Sequence, residues 1–202
     1  MHIVNESEKN AVALACDFLR AGKIISFATD TIYALAVDAS NVKAVEALYK
    51  IKNRDEKKPI AIFVKDLAAA EKIFFFDEIV EKIAEKNLPG SLTLVLKTKF
   101  QNSDKIAPNL NQGGDGFLGF RIPDHTFTKK LLAEFDGILA ATSANFSAQK
   151  PALSAAEVEK YFADSDLDLL VDGGKSAQQI ASTVAKISDK KITILRQGSL
   201  TL

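Results

Sequence analysis

Residues 27–64 read FATDTIYALAVDASNVKAVEALYKIKNRDEKKPIAIFV, and the rest of the chain can be organised around this stretch. The apolar run at 24–28 predicts a buried strand that ends in a hydroxyl-rich turn. Apolar residues in 41–52 recur at helical spacing, so a helix is predicted there, with cations crowding its last turn. Residues 60–64 predict a second buried strand. This order of strand, turn, helix and strand indicates an α/β fold.

The remaining chain continues this mixture of elements. Further helices are predicted at 5–21, 66–72, 77–86, 126–135 and 154–162. Further strands are predicted at 92–96, 118–122, 138–141, 167–171, 182–187 and 192–196. We therefore predict one domain over residues 1–202, with a twisted, mixed and largely parallel sheet flanked by helices. Residues 100–116 are rich in Asn, Gln and Gly, and predict either a mobile surface loop near the site or a solvated hairpin tip.

Composition narrows the classes of function. The 202 residues have a formal net charge of zero and a pI near 6.7, which argues against a dedicated double-strand nucleic-acid binder but not against a local basic cleft. Cys16 is the single cysteine, so an internal disulfide and a cysteine metal cluster are excluded, and a reducing, cytoplasmic location is expected. No apolar run is long enough to span a bilayer, so we expect no membrane insertion.

A cluster of cations ends the predicted helix at 41–52. Five of the nine residues from 50 to 58 are positively charged: Lys50, Lys52, Arg54, Lys57 and Lys58. One interpretation is a solvated helix end whose cations complement the helix dipole. The other is a clamp for polyphosphate, since arginine and lysine both bind phosphate oxygens. The chain has no Walker sequence and no GxGxxG motif, so a nucleotide would have to be held by such side chains.

Other polar residues lie at the margins of predicted strands. Arg121 interrupts an apolar strand. It could form a structural ion pair or face outward, but we favour a third interpretation, in which it binds the carboxylate of a ligand. Ser143 and Asn145 follow a strand at the position where open α/β sheets bind ligands, although both residue types also favour turns. Ser182 and Arg196 are similarly placed. No Ser-His-Asp arrangement can be argued, which favours a chemistry that needs no strong protein base.

Eight short motifs follow one another in an order that resembles the YrdC-domain family of threonylcarbamoyl-AMP synthases, in its short, stand-alone form. They are Thr-Asp-Thr-Ile-Tyr at 29–33, Lys-Asn-Arg at 52–54, Lys-Pro at 58–59, Leu-Pro-Gly-Ser-Leu-Thr-Leu at 88–94, Phe-Arg-Ile-Pro-Asp-His at 120–125, Thr-Ser-Ala-Asn-Phe-Ser at 142–147, Ser-Thr-Val at 182–184 and Ile-Leu-Arg-Gln-Gly at 194–198. Each motif is degenerate, but the ordered set is specific.

The resemblance implies a YrdC-like fold and a reaction of ATP, L-threonine and bicarbonate to L-threonylcarbamoyl-adenylate and pyrophosphate, assisted by Mg²⁺. The product would serve threonylcarbamoyladenosine formation in tRNA, with tRNA-modification proteins and tRNA itself as partners. The residues implied to hold threonine are Thr31, Arg121 and Ser182. The residues implied to hold ATP are Lys52, Arg54, Lys58, Ser143, Asn145 and Arg196. Lys52 and Arg54 would be catalytic by offsetting phosphate charge, and no protein metal ligand is implied.

Five positions depart from the family pattern. Ala28 replaces a proline, Ala34 and Ala36 replace small glycines, Phe63 replaces a histidine near threonine, and Ala148 replaces a glycine. The added methyl groups would narrow the pocket, and Phe63 removes a hydrogen-bonding partner. These departures bear on the affinity for threonine.

Two other functions fit parts of the pattern. An RNA-binding or ribosome-assembly module could use the same basic cleft, although the near-neutral pI argues against it. A carbamoyl-transfer domain of the hydrogenase-maturation type shares the fold, but the chain lacks the acylphosphatase-like and zinc-finger segments that such proteins carry.

Overall fold

The computed structural model describes residues 1–99, 106–111 and 116–202. In this part of the chain the strands are β1 (His2–Asn5), β2 (Ile25–Phe27), β3 (Ala34–Asp38), β4 (Ala61–Phe63), β5 (Leu92–Lys97), β6 (Phe117–Arg121), β7 (Leu139–Ser143), β8 (Leu169–Asp172), β9 (Thr183–Ser188) and β10 (Lys191–Arg196). The helices are α1 (Ala11–Arg20), α2 (Val42–Ile51), α3 (Leu67–Glu71), α4 (Glu78–Asn87), α5 (Thr126–Phe135) and α6 (Ala155–Phe162), together with a 3₁₀ turn at Pro108–Asn111.

The described strands form one sheet in the order β1-β8-β2-β3-β7-β4-β6-β5-β9-β10. The parallel pairs are β1 with β8, β2 with β8, β4 with β6 and β5 with β9. The antiparallel pairs are β2 with β3, β3 with β7, β4 with β7, β5 with β6 and β9 with β10. The predicted mixed α/β sheet flanked by helices is confirmed. The fraction of strand pairs that are parallel is smaller than we predicted from the sequence.

Each face of the sheet has its own apolar core, because side chains alternate along a strand. On β3, Leu35 and Val37 belong to a core that includes buried residues of α2, α4 and α6. Ala34 and Ala36, which alternate with them, belong to a second core that α1 and α5 cover. We call the side of α1 and α5 the second face. The cavity described below opens on it.

Most predicted helices and strands are confirmed, and α5 has the predicted bounds. The helix predicted from residue 5 begins only at Ala11. Residues 5–8 instead form a turn, in which the Asn5 N–H donates to Glu8 Oε1 at 3.0 Å. Strand β1 and strand β3 were not predicted. A strand with a single buried residue, like β1, and a strand rich in alanine, like β3, both carry weak patterns.

The predicted loop at 100–116 falls partly outside the described residues, namely at 100–105 and 112–115. Its middle is packed rather than solvated: Leu110 is buried, and the Ala107 N–H donates to Ala39 O at 2.7 Å. Asn109 Nδ2 also donates to Val42 O at 3.0 Å, which ties this segment to the start of α2. Among the helices described, none combines the length and apolar character needed to cross a bilayer.

Candidate active site

A cavity of about 420 Å³ opens on the second face of the sheet, where α1 and α5 no longer cover it. Seven strands contribute to its lining, and the connection between α2 and β4 supplies Arg54 and Pro59 at one wall. The lining carries three arginines and several hydroxyl groups. It contains no carboxylate among the described residues, so its electrostatic character favours anions.

Three small residues, Ala61, Gly119 and Ala141, lie on neighbouring strands in the lining of the cavity. We call this part of the lining the floor. Ala61 pairs with Ala141, and Val95 pairs with Gly119 in the antiparallel ladders. A Cβ atom built on Gly119 would lie 3.3 Å from the Ala61 Cβ and 3.3 Å from the Thr93 Cγ2. Gly119 therefore keeps open a space that any other residue would begin to fill.

Arg121 lies at the deep end of this floor and is 4 % exposed. Its Nη2 forms an ion pair with Asp30 Oδ1 at 2.6 Å, and its Nη1 donates to Thr31 Oγ1 at 2.7 Å. Its Nε donates to Gly90 O at 2.9 Å. Burial lowers the pKa of Arg121 and the charge of Asp30 opposes this. Arg121 is thus ion-paired, as one interpretation of the sequence held, and it also lines the cavity. Its binding of a ligand carboxylate stays a prediction.

Arg196 and Ser182 meet at the next wall. Arg196 donates from Nε and Nη2 to Ser182 O at 3.0 and 2.9 Å, and from Nη2 to Ser182 Oγ at 3.1 Å. The Ser182 hydroxyl also lies 2.8 Å from Thr93 Oγ1. These contacts fix the planar guanidinium at the cavity wall, and burial lowers its pKa.

Arg54 is held at the opposite wall by backbone carbonyls. Its Nε donates to Lys58 O at 3.1 Å and its Nη2 to Pro59 O at 2.9 Å. Burial lowers the pKa of Arg54. The Lys58 side chain is not part of the lining, because the turn that Arg54 closes leaves Lys58 exposed.

Lys52 is enclosed by oxygen atoms and is 2 % exposed. Its Nζ donates to Ser143 O, to Asn145 O at 2.9 Å and to Asn145 Oδ1 at 3.3 Å. Desolvation, with a smaller contribution from the charge of Arg54, lowers the pKa of Lys52 to about 7. The Asn145 Nδ2 donates to Phe146 O and Gln149 O, both at 2.8 Å.

The structure brings most of the predicted site residues around one cavity. Those that line it are Arg54, Arg121, Ser143, Ser182 and Arg196. The other four are not part of its lining, but each of them contacts a residue that is. Thr31 bonds Arg121, and Lys52 and Asn145 hold the Ser143 segment from behind. Lys58 contributes its carbonyl to Arg54 and not its side chain.

Sequence reasoning missed several polar residues of this region. Asp30 lies inside the quoted Thr-Asp-Thr turn, but its ion pair with Arg121 joins positions 91 residues apart. Thr93 and Lys186 reach the lining by alternation along β5 and β9. Lys186 Nζ lies 3.8 Å from the centre of the Phe117 ring. The sequence shows the alternation of polar and apolar residues along these strands, but it does not show which face of the sheet the polar residues lie on.

The departures from the family pattern have different structural consequences. Ala34 and Phe63 line the cavity, and the Phe63 ring lies 6.0 Å from the guanidinium carbon of Arg121. Ala36 is fully buried in the second core. Ala148 has a positive φ of 68°, a conformation that suits glycine and strains alanine.

We searched the described part of the chain for side chains that could hold a resident metal ion. Within the described ranges, no group of three or more histidine, cysteine, aspartate or glutamate side chains is placed to hold one. Mg²⁺ is usually bound by one or two carboxylates together with substrate phosphates. The polar side chains in the described lining of the cavity carry hydroxyl groups or positive charges and no carboxylates.

Fold and site together define a class: an α/β protein with an open sheet face whose cavity is lined by arginines and hydroxyls. A family model described as telomere recombination, which covers the Sua5, YciO and YrdC proteins, matches residues 17–198. The chain belongs to this Sua5/YciO/YrdC family. The resemblance indicated by the eight motifs is confirmed.

Relatives and solved structures match nearly the whole chain. A protein of Methanocaldococcus jannaschii is 35% identical over 199 residues, which cover 96% of this chain and 89% of that protein. Threonylcarbamoyl-AMP synthase of Homo sapiens is 34% identical over 195 residues, covering 93% of this chain and 67% of that protein. The structure of Pyrococcus abyssi Sua5 complexed with L-threonine is 29% identical, with a TM-score of 0.89, and the match covers 98% of this chain and 57% of that one. This chain thus spans little more than half of that Sua5 chain.

Proposed function

We propose that this protein is a threonylcarbamoyl-AMP synthase, which converts L-threonine, bicarbonate and ATP to L-threonylcarbamoyl-adenylate, pyrophosphate and water. The observation that carries the proposal is the single cavity that Arg54, Arg121, Ser143 and Arg196 share. A carboxylate and a triphosphate need separate cationic partners within reach of each other, and this cavity provides them. The names of the relatives, among them the human synthase, support the same reaction.

The threonine carboxylate would bind at Arg121. A guanidinium has five N–H donors, and the bonds to Gly90, Thr31 and Asp30 use three of them. The remaining donors can bind the carboxylate while Asp30 keeps the guanidinium in place. Thr31, which contacts Arg121, and Ser182, which contacts Arg196, would complete the threonine end. The P. abyssi relative crystallised with L-threonine supports a threonine site in this fold.

The triphosphate would bind at the walls formed by Arg54, Arg196 and Ser143. Both arginines are anchored by backbone carbonyls, so their guanidinium planes are fixed before the ligand arrives. A preorganised cation stabilises developing charge without reorganising during the reaction. Arg54 is the residue we propose as catalytic, since it lines the cavity and its guanidinium is anchored by backbone carbonyls and not by a carboxylate among the described residues. The ATP role predicted for Lys58 requires its exposed side chain to turn toward the ligand.

The chemistry needs little from the protein beyond proximity and charge. The threonine amine adds to bicarbonate, and loss of water gives an N-carboxylate. An oxygen of that carbamate attacks the α-phosphorus of ATP, and the bond to the β-phosphate oxygen breaks to release pyrophosphate. Binding of both substrates in one cavity raises the effective concentration of each relative to the other. The arginine walls offset the charge that accumulates on the phosphates.

The remaining parts of the proposal follow from the reaction. Magnesium would enter as the ATP complex, bound through the phosphates. The product would be consumed by tRNA-modification proteins that form threonylcarbamoyladenosine, with tRNA as the final acceptor. A cytoplasmic location is proposed because these partners act there and Cys16, buried and unpaired, needs no oxidising compartment. The names of the relatives do not support the RNA-binding alternative, so we do not propose it.

The test is direct detection of the adenylate. Purified protein is incubated with ATP, Mg²⁺, L-threonine and bicarbonate, and the product is measured by mass spectrometry alongside pyrophosphate release. We expect product that depends on all three substrates, and loss of product in an Arg54→Met variant with unchanged thermal unfolding. A folded wild-type protein that forms no adenylate under these conditions would overturn the proposal.

A further inference from the structure

The segment from Ser143 to Ser147 is bound by Lys52 at several points. The Lys52 ammonium donates to Ser143 O and to both oxygens of Asn145, and the Lys52 carbonyl accepts from the Ser147 N–H at 3.0 Å. Lys52 therefore holds this segment with its side chain and its backbone together. We call these contacts the Lys52 clasp.

We propose that Lys52 is a positioning residue, which fixes the Ser143–Ser147 segment at the cavity wall, and that it does not contact the phosphates of ATP. The inference rests on the proposed function for the identity of the ligand, but the clasp itself is a property of the ligand-free protein. It separates Lys52 from Arg54, although the two cations are only two residues apart.

The first argument is the direction of the Lys52 side chain. The residues that line the cavity include Arg54 and Ser143, while Lys52 lies outside the lining and is almost fully buried. An ammonium group has three donors, and three oxygen atoms lie around this one. A phosphate contact would require Lys52 to give up at least one of these bonds.

The second argument comes from Asn145, whose side chain is also committed. Its Oδ1 accepts from Lys52, and its Nδ2 donates to Phe146 O and Gln149 O. Lys52 and Asn145 therefore form one network behind Ser143, in which each bond fixes the next. The Ser143 side chain, at the end of β7, is the group that this network presents to the cavity.

The third argument is electrostatic. Burial lowers the pKa of Lys52 to about 7, so near neutral pH the group carries only part of a positive charge. A neutral amine still donates two hydrogen bonds to carbonyl oxygens, which suits a clasp. Arg54 stays charged at the same pH and is the better partner for phosphate.

Amide hydrogen exchange in the ligand-free protein tests the clasp without any substrate. Lys52→Met keeps most of the side-chain length and removes the donors, and we expect about 10- to 100-fold faster exchange at Ser147 and Gln149, from the loss of the hydrogen bonds that the Lys52 amino group makes. Arg54→Met is the matched control. It should leave exchange in this segment unchanged, because the Arg54 side chain donates to the carbonyls of residues 58 and 59 and not to residues 143–149.

A Lys52→Arg variant separates the two roles in the assembled enzyme. If Lys52 contacts phosphate, arginine should replace it, since arginine is a good phosphate ligand. If Lys52 is a clasp, the larger planar group does not fit among three oxygens, and exchange rises and adenylate formation falls as in Lys52→Met. Should Lys52→Met fail to fold, Asn145→Ala removes one oxygen of the clasp and carries the same exchange test. Two results would overturn the inference: unchanged exchange together with weaker ATP binding in Lys52→Met, or full activity in Lys52→Arg. Failure of the wild type to form the adenylate would overturn only the proposed function, because exchange is measured without substrate.

Discussion

A Gly119→Val substitution should separate ligand binding from stability. Gly119 lies in the middle of β6 on the cavity floor, and its φ is not in the positive range, so a β-branched residue can adopt its backbone conformation. The new Cβ would lie 3.3 Å from Ala61 Cβ and 3.3 Å from Thr93 Cγ2, with Val95 Cγ2 at 3.6 Å. These contacts are tight, and each neighbour must move by only a few tenths of an ångström.

The expected effects on stability and affinity differ in size. Replacing a strand glycine relieves about 0.5–1 kcal/mol of backbone entropy, which offsets part of the crowding. We therefore expect the free energy of unfolding to stay within about 1 kcal/mol of the wild type. The added carbon atoms occupy the floor of a cavity of about 420 Å³. Overpacking of this kind costs about 1–3 kcal/mol, which corresponds to roughly 5- to 150-fold weaker binding.

The assay is calorimetric titration of ATP and of L-threonine into the folded variant, with urea unfolding in parallel. Ala140→Val is the matched control, because Ala140 is fully buried on the opposite face of β7, in the other core. This control should lose about 1–3 kcal/mol of stability and keep its affinity for both ligands. A folded Gly119→Val protein that binds ATP and threonine as tightly as the wild type would refute the assignment of this floor.

Three further predictions concern buried and strained residues. Asp30→Ala should destabilise the protein by about 3–5 kcal/mol in urea unfolding, because it leaves the buried Arg121 without its ion-pair partner. A loss of stability below about 1 kcal/mol would show that Arg121 finds another partner. Ala148→Gly should raise the free energy of unfolding by about 0.5–1 kcal/mol, because φ is +68° there. The control Ala156→Gly, on the exposed face of α6, should lower it by about 1 kcal/mol. Equal effects of the two variants would contradict the backbone strain at Ala148. Between pH 7 and about 10, the unfolded chain keeps a proton that folded Lys52 has released. The unfolding free energy of the wild type should therefore rise with pH relative to Lys52→Met, by at most about 1.4 kcal/mol per pH unit. Parallel pH profiles would show that burial does not lower this pKa.

Local signals explain which elements could be predicted from the sequence. Helix α6 begins after Ser154, whose side chain accepts from the Glu157 N–H, and this cap is visible in the sequence as a serine with a glutamate three residues later. Strand β3 carries no such signal, since its alternation is between alanine and larger apolar residues, and both of its faces are buried. The continuous ten-stranded sheet supports the prediction of one domain, which remains a prediction.

The candidate site shows the same limit at the level of side chains. Residue types and motif order placed Arg54, Arg121, Ser143 and Arg196 in one site, and all four line the cavity. The cluster of cations could not show that Lys52 turns inward, because its oxygen partners come from the last residue of β7 and from Asn145 just beyond it, 91 and 93 residues away. Directions of side chains at a helix end depend on tertiary packing, which no local pattern encodes.

The central claim is that one cavity on the sheet holds a carboxylate at Arg121 and a triphosphate between Arg54 and Arg196. The most direct measurement is a crystal structure of the protein with L-threonine and a non-hydrolysable ATP analogue. We predict that the threonine carboxylate lies within hydrogen-bonding distance of Arg121, that the α-phosphate lies over the floor at Gly119, and that the Lys52 ammonium stays among its three oxygens. Threonine or nucleotide bound outside this cavity, with Arg121 and Arg54 making no contact to either ligand, would contradict it.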